Sequence, residues 1–157
     1  MKAAIVMGSK SDLPVVERAQ GILAKFGVEF ETRIISAHRT PKVAEAFASG
    51  AEENGIEVII AAAGKAAHLG GVIAAFTPLP VIGLPIKSST MDGLDSLLSI
   101  VQMPKGVPVA TVAIDGAENA ALLAVQMLSI KYPQLREKMK EYKVQMEQDV
   151  IKADSEL

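Results

Sequence analysis

Short apolar runs alternate along the chain with segments whose apolar residues recur every three or four positions. The first run, KAAIVM at residues 2–7, is almost wholly apolar, which is typical of a strand that is covered on both faces. Residues 13–26 then repeat apolar side chains at helical spacing. Asp12 before this segment and Gly27 after it suit the two ends of a helix. The pattern therefore predicts a strand followed by an amphipathic helix.

The same alternation continues through most of the chain. We expect strands at 28–36, 57–64, 79–85 and 107–114, and helices at 40–55, near 93–101 and from about 117. Thr40 and Pro41 are the expected N-cap and first residue of the second helix, and Gly55 its expected end. Regular alternation of this kind favours a parallel sheet between helices. We predict a single domain over residues 1–157, an α/β fold of three α/β/α layers with about five parallel strands.

The last segment, 134–153, lies outside this alternation. It is a charged helix with apolar side chains at three- and four-residue steps, namely Leu135, Met139, Tyr142, Met146 and Val150. This stripe has two alternative packing partners, since the helix either folds back on its own domain or packs on a neighbouring subunit.

Composition excludes several classes of protein. Half of the 157 residues are hydrophobic, 22% are charged and the net charge is −2, which is globular and does not suggest nucleic-acid or membrane-surface binding. The absence of cysteine removes disulfides and thiolate chemistry. No apolar run is long enough for a membrane span and the first residues do not read as a signal peptide, so we expect a cytoplasmic protein. The small, alanine-rich side chains favour oligomerisation.

Candidate chemistry collects in the loops that follow the predicted strands. These loops are GSKSD at 8–12, SAHRTP at 36–41, AGKAAHLGG at 63–71 and KSSTMDG at 87–93. Right-handed crossovers place all of them along one edge of the sheet, where open parallel sheets bind ligands. Both histidines of the chain are in these loops.

The first two loops suggest an anionic ligand. GSKSD is a glycine- and serine-rich turn at a helix N-terminus, which favours an anion, although a tight turn with a capping aspartate explains it equally well. Asp12 could accept hydrogen bonds from ribose hydroxyls. Arg39, beside Ser36 and Thr40, suits a phosphate, with an ordinary surface arginine as the alternative.

The two histidines differ in what their surroundings suggest. His38 lies in a loop, and an imidazole with a usual pKa of about 6.5 can give and take a proton near neutrality. His68 lies in an alanine-rich turn, where a packed or backbone-bonded side chain is the more frequent explanation. Their spacing does not resemble a metal site, and no G-x-S-x-G nucleophile motif is present. The residues alone thus indicate a phosphorylated, ribose-bearing ligand and one acid/base histidine, but no particular reaction.

Several motifs together resemble a known enzyme family. VMGSKSD, SAHRTP, AAHL, TPLPVIG, GLDSLLSIVQMPKGVPVATVAI and NAALLA, from about residue 3 to residue 125, are similar in order and spacing to N5-carboxyaminoimidazole ribonucleotide mutases of purine biosynthesis. The resemblance implies a flavodoxin-like fold, a homo-octamer, no metal or organic cofactor, and movement of a carboxylate from the exocyclic N5 to C4 of an imidazole ribonucleotide.

The resemblance also implies roles for individual residues. His38 matches the catalytic histidine, while the positions that match substrate-binding residues are Ser9, Ser11, Asp12, Ser36, Arg39, Ala66, Ala67, His68 and Leu69. A class of the same fold that carboxylates aminoimidazole ribonucleotide directly is an alternative, although its sequences typically carry SAHKT and an Arg-Ser-Asn-type turn. A non-catalytic nucleotide-binding module is a second alternative.

The chain departs from the family pattern in the turn after the third strand. The family usually reads AGAGGAAHLPG where this chain reads AAAGKAAHLGG, so that Ala62 and Lys65 replace glycines and Gly70 replaces proline. If position 65 needs a positive φ, Lys65 is strained or occupies the pocket. Gly70 is expected to loosen the turn. Asp115, where the family tends to have a small or neutral residue, could reach the edge of the sheet.

Overall fold

Five parallel strands form one sheet in the computed structural model, which describes residues 1–89 and 91–157. The strands are β1 (Lys2–Met7), β2 (Glu29–Ile34), β3 (Val58–Gly64), β4 (Val81–Ile86) and β5 (Ala110–Thr111). Their order across the sheet is β2-β1-β3-β4-β5, and each neighbouring pair is parallel. This is the flavodoxin-like strand order, so the predicted fold class is confirmed.

Helices cover both faces of the sheet. They are α1 (Leu13–Phe26), α2 (Pro41–Gly50), α3 (Leu69–Ala75), α4 (Leu94–Val101), α5 (Ala117–Leu128) and α6 (Pro133–Ser155), with short 3₁₀ turns at Lys10–Asp12 and Met91–Gly93. Buried residues of α1, α5 and α6 form one core with the sheet, and those of α2, α3 and α4 form a second core on its other face. None of the helices in the described ranges combines the length and the apolar character needed to cross a membrane.

The central strands are apolar because they are buried on both sides. In β1, Ala3, Ile5 and Met7 belong to one core, whereas Ala4 and Val6 belong to the other. Alternate side chains of a strand point to opposite faces, so a continuous apolar run is the expected sequence of such a strand. This arrangement fixes the central strands rigidly and leaves their carboxyl ends to carry the polar loops.

The fifth strand is much shorter than predicted. The expected strand 107–114 is reduced to Ala110–Thr111, which pairs with Ile82 and Gly83 of β4. Pro108 lies before this strand and cannot donate a hydrogen bond to a ladder, which limits pairing on that side. The chain still follows the edge of β4 beyond β5, because the amide of Asp115 donates to the carbonyl of Pro85 at 2.8 Å.

Two predicted helix caps act elsewhere. Asp12 precedes α1 but makes no capping bond to it; its carboxylate accepts from the amide of Ser9 at 3.2 Å. The Thr40 hydroxyl accepts from the amide of Ser36 and donates to the carbonyl of Ser36, both at 3.0 Å, rather than capping α2. Both side chains therefore shape the loops that precede the helices. In addition, α2 ends at Gly50, and the predicted terminus Gly55 lies in the following turn at φ +74°.

The terminal helix α6 packs on its own domain mainly through its first half. Leu135 and Met139 are buried in the core of the α1 and α5 face, and the ring of Tyr142 lies 5.7 Å from that of Phe26 between centroids. In the second half of the helix, by contrast, the side chain of Val150 is 69% exposed. The alternative in which α6 folds back on its own domain thus describes the first half, and packing on a neighbouring subunit stays a prediction for the more exposed second half.

Close packing of α4 on β4 depends on the absence of a side chain at Gly83. A Cβ atom there would overlap the side chain of Ile100 and would lie 3.0 Å from Cγ1 of Val109. We expect Gly83→Ala to lower the free energy of unfolding by about 1–3 kcal/mol, because the core must shift to admit a methyl group. Denaturant titration at fixed protein concentration measures this loss.

Gly21→Ala is the matched control for that substitution. Gly21 is an exposed position within α1, and a Cβ atom there has no neighbour within 4 Å. Alanine is the better helix former, so the free energy of unfolding should rise by about 0.5–1 kcal/mol. Equal stabilities for Gly83→Ala and the wild type would contradict the packing described for α4.

Candidate active site

A cavity of about 690 Å³ lies over the carboxyl ends of β1 to β4. The predicted site residues that line it are Ser9, Ser11, Asp12, Ser36, His38, Arg39, Ala66, His68 and Leu69. Ala67 is not in its wall, because its side chain is buried in the core that α2 and α3 form with the sheet. Thr90, part of the predicted loop 87–93, lies outside the described residues. The topology therefore brings together residues that are as much as 60 positions apart in the chain, from Ser9 to Leu69.

The loop after β1 is held by a small network of hydroxyl and carboxylate groups. Oδ2 of Asp12 accepts from the amide of Ser9 at 3.2 Å, and the Ser11 amide donates to Oγ of Ser9 at 3.3 Å. Oγ of Ser11 lies 2.9 Å from Oγ of Ser9 and 3.2 Å from Oδ1 of Asp12. This is a capping box of the short 3₁₀ turn. It presents two hydroxyls and a carboxylate to the cavity.

Burial changes the electrostatics of Asp12. Its residue surface is only 7% exposed. Desolvation raises the pKa of the carboxyl above its ordinary value of 3.8, against the lowering effect of the hydrogen bonds from the Ser11 hydroxyl and the Ser9 amide. The carboxylate is thus incompletely solvated and still has lone pairs to offer, which suits it to accept hydrogen bonds from hydroxyl groups of a ligand.

Arg39 reaches from the loop after β2 to the loop after β1. Its Nη2 donates to the carbonyl of Gly8 at 3.0 Å and its Nε donates to Oγ of Ser36 at 3.3 Å. The backbone amide of Arg39 also donates to Oγ of Ser36 at 3.2 Å. These bonds hold the guanidinium in the cavity wall and leave other N–H groups of the planar fork for an anion.

The two histidines meet across the cavity. Nε2 of His38 and Nδ1 of His68 lie 3.0 Å apart, at hydrogen-bonding distance, and the rings are nearly perpendicular with centroids 5.1 Å apart. One nitrogen donates and the other accepts, so the tautomers of the two rings are coupled. The residues alone had favoured a packed or backbone-bonded His68, and that interpretation is wrong. The strand order carries the missing signal, because His38 follows β2 and His68 follows β3, on the two sides of β1.

Lys65 has a backbone conformation that is unusual for a residue other than glycine. It lines the cavity and has φ +56°, in the left-handed region that favours glycine. The expected positive φ at this position is therefore present, with a lysine adopting it.

The other departures from the family pattern lie away from the cavity wall. Ala62 is a fully buried residue of β3, and Gly70 is buried in the first turn of α3, next to Val109 and Ala61. Oδ1 of Asp115 accepts from the amide of Lys87 at 2.8 Å. Asp115 is not among the residues that line the cavity, and this bond connects it to the backbone of the loop after β4.

That loop adds residues that were not predicted individually. Lys87 and Ser88 line the cavity, and Oγ of Ser88 donates to the carboxylate of Asp95 at 3.1 Å. Their place directly after β4 is the sequence signal that would have included them. In the part of the chain that the structure describes, no group of three or more His, Asp or Glu side chains is arranged to hold a metal ion.

Comparison with known proteins gives consistent results. A family described as AIR carboxylase matches residues 2–149. A Pyrococcus abyssi protein named N5-carboxyaminoimidazole ribonucleotide mutase is 63% identical over 145 residues, which are 92% of this chain and 83% of that protein. A Saccharomyces cerevisiae protein named phosphoribosylaminoimidazole carboxylase is 56% identical over 147 residues, 94% of this chain but 26% of the yeast protein. The crystal structure of Treponema denticola PurE has a TM-score of 0.88 and 31% identity, covering 99% of this chain and 98% of that one.

The buried carboxyl of Asp12 makes a prediction about pH. Because desolvation penalises the charged form, Asp12 should titrate above the ordinary aspartate value of 3.8 in a carboxyl NMR titration. Its contribution to stability is present while the group is protonated, and it is lost as pH rises through the folded-state pKa. Ser11→Ala removes a hydrogen bond that favours the carboxylate, so it should raise the pKa of Asp12 further. A pKa at or below 3.8, or one unmoved by Ser11→Ala, would contradict this description of the loop.

Proposed function

The chain belongs to the AIR carboxylase family, and we propose that within it the protein is an N5-carboxyaminoimidazole ribonucleotide mutase that uses His38 as its acid/base. The observation that carries this proposal is the His38–His68 bond inside a cavity that also holds Arg39 and Asp12. The name of the Pyrococcus abyssi relative supports the choice of reaction, in the biosynthesis of purines.

Substrate binding follows from the polar groups on the β1 and β2 side of the cavity. The phosphate binds to the guanidinium of Arg39, with the Ser36 hydroxyl beside it, because a planar cation with free N–H groups is suited to phosphate oxygens. The ribose hydroxyls donate to the carboxylate of Asp12. The imidazole ring then lies towards His38 and His68.

The reaction is an isomerisation in which atoms and protons balance. The bond between N5 and its carboxyl carbon breaks, which leaves CO2 and the aminoimidazole with a proton added to the nitrogen. C4 of the ring then attacks the CO2, and loss of the C4 proton restores aromaticity. His38 gives the first proton and takes the last one, because an imidazole can act both as a general acid and as a general base. His68 orients the ring of His38 through the bond between Nε2 and Nδ1.

The small residues around the ring have a role in this scheme. Ala63, Gly64 and Ala66 line the cavity where the chain leaves β3. Their size lets the backbone approach a flat ring closely. Such an approach keeps water out and holds the CO2 near C4 until it is recaptured.

Direct carboxylation of aminoimidazole ribonucleotide is the second candidate function. The name of the yeast relative favours it, although this chain spans only 26% of that protein. The two reactions share the carboxylation of C4 and differ in the source of CO2. Turnover of aminoimidazole ribonucleotide with bicarbonate at low CO2 would assign the carboxylase. Binding of ribonucleotides without turnover of either substrate would identify a nucleotide-binding module.

His38→Asn tests the proposed acid/base. Asparagine retains a polar side chain but cannot exchange protons near neutrality, so kcat with N5-carboxyaminoimidazole ribonucleotide should fall by about 10²–10⁴-fold. The Kd for the 4-carboxy product, measured by calorimetry, should stay within several-fold of the wild type. His68→Asn is the companion variant, which keeps His38 and removes its partner, and it should lose less kcat than His38→Asn. Near-normal turnover by His38→Asn would refute the assignment.

We propose further that the protein assembles as a homo-octamer in which the second half of α6 packs on a neighbouring subunit. In that half, the stripe residues Met146 and Val150, one helical turn apart, are 43% and 69% exposed. Exposed apolar side chains on successive turns of one helix favour a protein partner. The assembly implied by resemblance to the mutases supplies that partner.

Val150→Asp tests this contact without disturbing the buried first half of α6. A carboxylate within an apolar interface is costly, so the variant should assemble at least ten times more weakly, as measured by sedimentation velocity across a dilution series. Gln148→Asp adds the same charge two positions away on the exposed helix and should leave the assembly unchanged. Wild-type mass for Val150→Asp at every dilution would contradict the proposed packing.

A further inference from the structure

The charged side chains that line the cavity differ in whether they have hydrogen-bond or ion-pair partners. Three cationic residues line it, namely Arg39, Lys65 and Lys87. Asp12 is the one carboxylate in its lining among the described residues. Arg39 donates to Gly8 and Ser36, and Nζ of Lys87 lies 3.2 Å from Oδ1 of Asp92. Lys65 has no hydrogen bond or ion pair with any residue in the ranges 1–89 and 91–157. Among the described residues that line the cavity, Lys65 is thus the one cation whose charged group has no partner.

The backbone conformation of Lys65 indicates that its side chain lies at a ligand site. A lysine at φ +56° adopts a conformation that costs free energy, whereas glycine would adopt it freely. Strained residues of this kind persist where the surrounding structure holds them, and they cluster at ligand sites. Nothing within the described part of the protein bonds to the ammonium group, so the group is available to a ligand.

The strand order separates this cation from Arg39. Arg39 belongs to the loop after β2 and Lys65 to the loop after β3, and these strands flank β1 on its two sides. A carboxylated imidazole ribonucleotide also carries two separate anionic groups, a phosphate and a carboxylate. A ligand whose phosphate is at Arg39 and whose ring lies across β1 would place the ring beside His68 and Lys65, which line that side of the cavity.

We propose that Lys65 binds the carboxylate of the substrate and thereby selects carboxylated over uncarboxylated imidazole ribonucleotides. This inference rests on the proposed function. The ammonium is a compact charge on a flexible stem, so it can follow the carboxylate from its position on N5 to its position on C4. Lys65 is a specificity-determining residue in this role, whereas proton transfer belongs to His38.

Calorimetric binding of two ligands tests the proposal. The ligands are 4-carboxy-5-aminoimidazole ribonucleotide and aminoimidazole ribonucleotide, which share the phosphate, ribose and ring and differ in the carboxylate. Lys65→Met keeps a long unbranched side chain and removes the charge, so it should weaken binding of the carboxylated ligand at least tenfold. Binding of the uncarboxylated ligand should change less than twofold.

Three further variants separate charge from conformation. Lys65→Arg keeps the charge and should recover most of the lost affinity. Lys65→Gly removes the charge and relieves the positive φ, so its melting temperature should equal or exceed that of the wild type while the carboxylated ligand binds as weakly as to Lys65→Met. Lys105→Met removes an exposed lysine outside the cavity and should leave both affinities unchanged.

Each contrary result has a distinct meaning. If Lys65→Met weakens both ligands equally, Lys65 binds the phosphate or supports the fold, and the proposal is wrong. If neither affinity changes, the side chain does not contact the ligand, and the proposal is again wrong while the proposed function stands. If the wild type binds neither ribonucleotide, the proposed function fails, and with it the role of Lys65.

Discussion

The position of β1 between β2 and β3 is the constraint on which the site depends. The pairing holds the ends of these strands at one level. The amide of Ile35 donates to the carbonyl of Met7 at 2.9 Å, and the amide of Gly8 donates to the carbonyl of Ala62 at 3.1 Å. The three loops therefore leave the sheet side by side. His38 and His68, 30 residues apart in the chain, approach within 3.0 Å because the loops that carry them start from the two strands beside β1.

Two residues of the cavity are in conformations or surroundings that are unfavourable for the folded state. Asp12 is a buried carboxylate with a raised pKa, and Lys65 is a long side chain at positive φ. Each is unfavourable locally, and each lines the cavity. A rigid sheet with two apolar cores can hold such residues in place, and a ligand with hydroxyl and anionic groups would satisfy both of them.

Apolar periodicity was sufficient to predict the layers, most strands and the edge of the sheet at which the cavity lies. It placed β1 at residues 2–7 without error, since a strand buried on both faces has a distinctive sequence. It did not predict that β5 is short, because the length of that strand depends on its pairing with β4. It also did not predict that Asp12 and Thr40 make hydrogen bonds within loops instead of capping helices. The His38–His68 bond was also beyond it, because that contact needs the strand order, which periodicity does not contain.

In the proposed reaction, one cavity releases CO2 from N5 and returns the same molecule to C4. The most direct measurement uses N5-carboxyaminoimidazole ribonucleotide with a ¹³C-labelled carboxylate, turned over by the protein in excess unlabelled bicarbonate. We expect the label to be retained in the C4 carboxylate of the product during the first turnovers. Complete loss of the label to the bicarbonate pool would show that CO2 leaves the cavity, and it would contradict recapture of the same molecule at C4.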